Sequence, residues 1–197
     1  YTGGTIHLTG ISCAESVDLL RKAKAKGLSV TGDVHVMNLL FNETAVLDFD
    51  SNFKVMPPLR RESDRLALWE GLKDGTIDTI VTDHRPHDKE EKDVEFDHAS
   101  FGTIQLQTAF GSLINCKEAD LQTIVKALSL QARQIAEITE NPIQRGNKAD
   151  LTIFEIDKTW ILEETDLISA TKNTSFVGKE LKGQAIAVIN NGKLISK

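Results

Sequence analysis

The chain is poor in the features that mark several protein classes. It has only two cysteines in 197 residues, Cys13 and Cys116. That is too few for a disulfide framework, so a reducing cytoplasm is the expected location. Aromatic residues make up 6% of the chain, so its core must be largely aliphatic. No long basic run occurs and the net charge is −6, which argues against a nucleic-acid partner. No apolar stretch approaches the ~20 residues of a membrane span. No signal-like segment follows Tyr1, so nothing marks secretion. A glycine-rich phosphate loop, a His-Glu-x-x-His and a Cys-x-x-Cys are all missing. With 40% hydrophobic and 26% charged residues, what remains is an ordinary globular domain.

What is present points to a barrel enzyme. In Thr76-Ile77-Asp78-Thr79-Ile80-Val81-Thr82-Asp83-His84-Arg85-Pro86-His87 an apolar run stops on an acid, and two histidines follow. Parallel barrels present catalytic groups at the C-terminal ends of their strands. The chain is short of the about 250 residues of a complete barrel. Tyr1 stands in place of Met, and Thr2-Gly3-Gly4-Thr5 leads straight into a strand. The expectation is therefore the C-terminal part of something longer.

Ile6–Ile11 reads as a strand, and Ser12-Cys13-Ala14-Glu15 as a capping box opening a helix with Val17, Leu19, Leu20 and Ala23 on its apolar face. Gly27 stops it and Leu28–Val34 reads as a second strand, which completes a βαβ unit with parallel strands. Residues 35–61 lack periodicity and hold Pro57-Pro58, which predicts a long loop. A helix over Ser63–Leu72 and a strand over Thr76–Thr82 follow. Residues 84–102 read as a charged loop, whose 88–97 part could cover a site, and helices are expected near 103–115, 118–131 and 131–139. From Ala149 the chain turns β-rich, in Leu151–Ile156 and Gln184–Ile189, and Asn190-Asn191-Gly192-Lys193 signals a hairpin. The expected division is 1–145 and 146–197.

Asp83 is the leading catalytic candidate. A carboxylate at a strand end can bind a metal or carry a proton between water and a leaving group; the plainer reading is a loop cap or ion-pair partner. His84 and His87 could bind a substrate carboxylate or orient Asp83. Arg85 could meet an anionic substrate or the acidic loop. Arg60 and Arg61 read as local ion-pair partners, with substrate ligands as the alternative. Phe101-Gly102 ends the charged loop, where a glycine lets the backbone approach a ligand. His7 and His35 read as core histidines, and Cys13 as structural because no base accompanies it.

An ordered series then carries a resemblance: Pro57-Pro58-Leu59-Arg60, Arg65-x-Ala67-Leu68, Asp74-Gly75-Thr76-Ile77-Asp78, Thr82-Asp83-His84-x-Pro86-His87, Glu91-Lys92 and Phe101-Gly102. From about residue 6 to residue 194 it resembles the C-terminal half of the dihydroorotase family, zinc amidohydrolases of pyrimidine synthesis. The resemblance implies an α/β fold, half of a TIM-type (β/α)8 metal-dependent hydrolase barrel plus strands of a small composite β-domain. It implies that Asp83 binds zinc and shuttles the proton, that His87 binds the substrate carboxylate, and that the Phe101-Gly102 backbone touches the ring. The implied reaction is reversible closure of carbamoyl aspartate to dihydroorotate, by a homodimer. Three places depart from the family. Gly10 stands where a metal-binding histidine is expected, Met56 where Asn precedes Pro-Pro-Leu-Arg, and Val36-Met37-Asn38 where Pro-His-His is usual. Two alternatives follow: a non-catalytic partner of aspartate transcarbamoylase, or another cyclic-amide hydrolase of hydantoinase or allantoinase type.

Overall fold

The computed structural model describes residues 3–139 and 142–196; Tyr1 and Thr2, at the expected trimmed start, lie outside the described residues. Among the described residues the fold is α/β, with two three-stranded sheets. In the first, β1 (Ile6–Leu8), β2 (Val30–His35) and β3 (Thr79–Val81) lie side by side and are all parallel. Their C-terminal ends therefore share one side of the sheet. The two faces of β2 differ in chemistry because side chains alternate along a strand. Val30, Gly32 and Val34 face the helices, while Thr31, Asp33 and His35 line the other face.

Helix α1 (Ala14–Ala25) joins β1 to β2 and buries Val17 and Leu20. Gly32 lets it sit close, since a Cβ there would lie 2.8 Å from Leu20 Cδ2. Helix α3 (Glu62–Lys73) packs beside α1 and buries Leu68, Trp69 and Leu72. Burial of each such side chain is worth roughly 1.5–3 kcal/mol. The Trp69 indole N–H donates to the Leu39 carbonyl at 3.1 Å, so the largest core residue hides no unpaired donor.

Several elements differ from the sequence expectations. No capping box forms at Ser12; Cys13 takes the N-cap position and the Ala14 N–H donates instead to Asp64 Oδ1 at 2.9 Å. The box appears in the charged loop, where Asp88 and Glu91 cap α4 (Lys89–Lys92). The expected 35–61 loop holds α2 (Val36–Leu40) and two 3-10 turns capped by Asn42 and Asp50. The first late helix begins only at α5 (Ala109–Ile114). Residues 103–105 are drawn instead into tertiary hydrogen bonds: Ile104 N–H donates to the Asn173 carbonyl and Gln105 N–H to His84 Nδ1. The next helices are α6 (Leu121–Val125), a π-helical turn Lys126–Leu130 and α7 (Gln131–Ile135).

The second sheet is antiparallel: β4 (Leu151–Ile161), β5 (Glu180–Asn190) and β6 (Lys193–Ser196). The predicted hairpin is present, with Asn191 and Gly192 at φ 51° and 74°, the positive values a tight β-turn requires. Strand β4 runs past the predicted Ile156, with register shifts at Ile153/Phe154 and Glu155/Thr159. The sheet meets α5 closely, because a Cβ on Gly111 would lie 2.8 Å from the Gly183 carbonyl.

Candidate active site

The strand ends of the parallel sheet gather a polar cluster. Asp33 is 3% exposed and accepts from three donors: Gly10 N–H at 2.7 Å, Thr9 Oγ1 at 3.1 Å and His7 Nε2 at 3.0 Å. This fixes the turn after β1, where Gly10 adopts φ 76°, a left-handed value suited to glycine. His7 is therefore an Asp33 partner on the polar face and not a residue of the apolar core.

Asp83 lies two residues beyond β3, at φ 45°. A non-glycine residue in this region is strained, and such residues cluster at functional sites. Its Oδ1 accepts from Arg85 Nε at 2.8 Å, and its Oδ2 lies 3.4 Å from His35 Nδ1. Arg85 thus pairs with Asp83 and not with the acidic loop. His35 ends β2 and is 7% exposed, and its Nδ1 has no hydrogen-bond partner. Its role beside Asp83 was hidden in the sequence; the alternation of Thr31, Asp33 and His35 on one face of β2 is the signal that could have found it. His84, expected to bind substrate or orient Asp83, makes no hydrogen bond to Asp83 among the described contacts. Its Nδ1 accepts from the Gln105 and Leu106 N–H groups at 3.0 and 3.2 Å.

The places that depart from the family pattern, among them the expected metal-ligand place at Gly10, are filled with structural contacts. A Cβ on Gly10 would meet Pro57 Cγ at 3.0 Å and His35 Nε2 at 3.4 Å. Met37 is 2% exposed and its sulfur accepts from Gln105 Nε2 at 2.9 Å. Asn38 Nδ2 donates to the Pro58 carbonyl at 3.2 Å. Among the described residues no group of three or more His, Cys, Asp or Glu side chains converges to hold a metal. A zinc site uses three or four protein ligands, so the residues of this chain do not fit the zinc that the resemblance implies.

The substrate-loop candidates do come together. His87 Nε2 faces the Phe101 carbonyl at 3.0 Å, and its Nδ1 faces Glu91 Oε2 at 3.1 Å. That contact, with the Asp88 N–H, holds the Glu91 carboxyl below its ordinary range. Gly102 sits at φ 128°, and a Cβ there would lie 2.5 Å from Arg85 Cβ. Arg85 therefore bridges the Asp83 end and the Gly102 end of the segment. His87 also lines a cleft of about 740 Å³, together with Asp50, Lys92, Thr171 and Asn173.

Two buried lysines tie the charged loop down. Lys92 Nζ donates to the carbonyls of Ser51, Ser100 and Gly102 at 2.7, 2.8 and 2.9 Å. Burial pushes its ammonium down to about 8. Lys54 Nζ donates to the carbonyls of Phe96 and Asp97 and lies 4.7 Å from the Phe101 ring centroid. Asn173 adds a third tie: its Nδ2 donates to the Arg85 carbonyl at 2.9 Å, and its Oδ1 accepts from the His87 N–H at 3.1 Å. Nothing in the sequence around Asn173 marked it. Arg60 and Arg61 show no ion pair among the described residues.

No family profile matches the chain. The architecture is that of the cyclic amidohydrolases. The L-hydantoinase (dihydropyrimidinase) of Arthrobacter aurescens superposes with a TM-score of 0.90 at 23% identity, over 99% of this chain and 45% of that one. An inactive dihydroorotase-like domain of a CAD-like multifunctional protein from Chaetomium thermophilum superposes with a TM-score of 0.70 at 21% identity, over 96% of this chain and 50% of that one. In sequence, the dihydroorotase of Caldicellulosiruptor saccharolyticus is 42% identical over 200 residues, covering 100% of this chain and 46% of that protein. Along its whole length the chain is similar to curated dihydroorotases, and it spans about half the length of those relatives.

Proposed function

We propose that the protein acts as a dihydroorotase, opening and closing the cyclic amide of dihydroorotate. On this reading residues 1–145 form the C-terminal half of a (β/α)8 barrel and residues 146–197 belong to a composite β-domain. The observation that carries it is Asp83: a strained carboxylate at a parallel strand end, tied through Arg85 to the His87 and Phe101-Gly102 loop. In ring opening, water adds to the amide carbon and the C–N bond breaks. Asp83 takes the proton from the attacking water and returns it to the departing nitrogen. His87 and the Phe101-Gly102 backbone position the ring and its carboxylate. The fit of the residues allows no step through zinc here, so the role of Asp83 is confined to the proton. The reading includes a soluble cytoplasmic homodimer.

The test is dihydroorotate hydrolysis by the full-length protein beside its Asp83→Asn variant. A loss of about 10²–10⁴-fold in kcat, the usual share of a general acid-base group, supports the reading. Equal rates in both proteins overturn it.

A second reading is favoured by one observation, the filling of the Gly10 and Met37 places by Pro57, His35 and Gln105. It makes the protein a non-catalytic family member that binds aspartate transcarbamoylase. Co-purification of the two proteins, with no hydrolysis, would favour it.

A further inference from the structure

We infer that the strand-end site of this chain is a metal-independent cluster, in which Arg85 and His35 flank the Asp83 carboxylate where a divalent cation would otherwise sit. The inference rests on the assignment of this mouth to the dihydroorotase family and deepens it. A carboxylate at a barrel mouth needs positive charge or donors beside it, because uncompensated burial is costly. Oδ1 accepts from the Arg85 guanidinium at 2.8 Å, and Oδ2 lies 3.4 Å from His35 Nδ1, close enough for charge attraction without a hydrogen bond.

Most of the neighbouring polar groups among the described residues have other partners. Asp33 is saturated by Gly10, Thr9 and His7. His84 Nδ1 is occupied by two backbone N–H groups. His87 is turned to Glu91 and Phe101. The space at Gly10 is closed by Pro57 and by the His35 ring itself. Among the described residues of this chain, a cation arriving at Asp83 would compete with Arg85 and would find one further ligand nearby, His35. That is below the three protein ligands of a catalytic zinc site.

The experiment measures zinc by mass spectrometry in the full-length protein, dialysed with zinc and then freed of excess. Wild type, Asp83→Asn and Asp83→Ala are compared, the Asn variant keeping the side-chain shape. Thermal midpoints are recorded in zinc and in chelator, and dihydroorotate hydrolysis is assayed in the same samples. We expect no zinc difference among the three proteins and no midpoint shift. A site at 100-fold saturation would raise the midpoint by about 5–10 °C. One zinc per chain that disappears in either variant overturns the inference. Zinc that persists in Asp83→Asn and equally in Asp83→Ala, which has no ligating oxygen, lies on other residues and leaves the cluster metal-independent. Hydrolysis is read separately: zinc-independent turnover supports both the cluster and the proposed reaction. No turnover with no Asp83-dependent zinc supports the cluster while refuting the reaction.

Discussion

The Lys92 ammonium sits 2.9 Å from the Gly102 carbonyl and also holds the carbonyls of Ser51 and Ser100. One buried side chain thus joins three strands of loop, including the glycine at the candidate substrate contact. Replacement by methionine keeps the apolar stem but strands three carbonyls. We expect Lys92→Met to cost about 3 kcal/mol, near 1 kcal/mol per lost bond. Urea unfolding would measure it; an unchanged midpoint would show that the loop is held by other contacts.

Gly102 has a backbone need and a steric need at once. At φ 128° it occupies a region side chains avoid, and a Cβ would press to 2.5 Å on Arg85 Cβ. Gly75, at φ 78°, has the same backbone need but open space around it. Gly102→Ala should cost about 3 kcal/mol and Gly75→Ala only about 1 kcal/mol. Equal losses in a melt of both variants would refute the steric part of this account.

Asn173 comes from the connection between β4 and β5, yet it orients the segment after β3. Its amide serves the Arg85 carbonyl and the His87 N–H, and its own carbonyl accepts from Thr103 Oγ1 and Ile104 N–H. An alanine there keeps the backbone bonds and loses the side-chain ones. Asn173→Ala should cost about 2 kcal/mol and, on the proposed activity, weaken dihydroorotate binding more than it slows bound substrate. Steady-state kinetics separates the two: a fall in kcat with unchanged KM would contradict a positioning role.

The sequence made some of this legible and hid the rest for physical reasons. Helices α1 and α3 and the strands β2 and β3 announced themselves through periodicity and glycine stops, which act locally. The Asp83–His87 and Phe101-Gly102 pattern was visible as a motif. His35 is buried as the sequence reading expects, but its place beside Asp83 was hidden, because that residue lies 48 positions away and only the parallel pairing of β2 with β3 brings them together. The start of α5 was also misjudged. Its first turn was expected at 103, but hydrogen bonds to Asn173 and His84 hold 103–105 outside the helix, so tertiary contacts overrode propensity.

Arg65 fastens α3 through two acids. It bonds Glu62 at 2.6 Å and Glu118 at 2.8 Å, and reaches the Leu39 carbonyl at 3.1 Å. The Arg65 hydrogen bond, then the Asn42 one, hold Glu62 at about 2 against an ordinary 4.5. Arg65 lowers Glu118 as well. A carboxylate depressed in the folded state stabilises fully above its unfolded value. That stabilisation is lost as pH falls through the folded value. The window for Glu62 is therefore 4.5 down to about 2. Its half-exposed position keeps the effect small. Arg65→Gln removes the partner of both acids, so its stability should fall less steeply than wild type across that window. Urea midpoints taken between about pH 5 and 2.5 provide the check. Parallel curves for the two proteins would place the acid sensitivity on other carboxylates, with Asp74 and Asp120, both held below their ordinary range, the next to test.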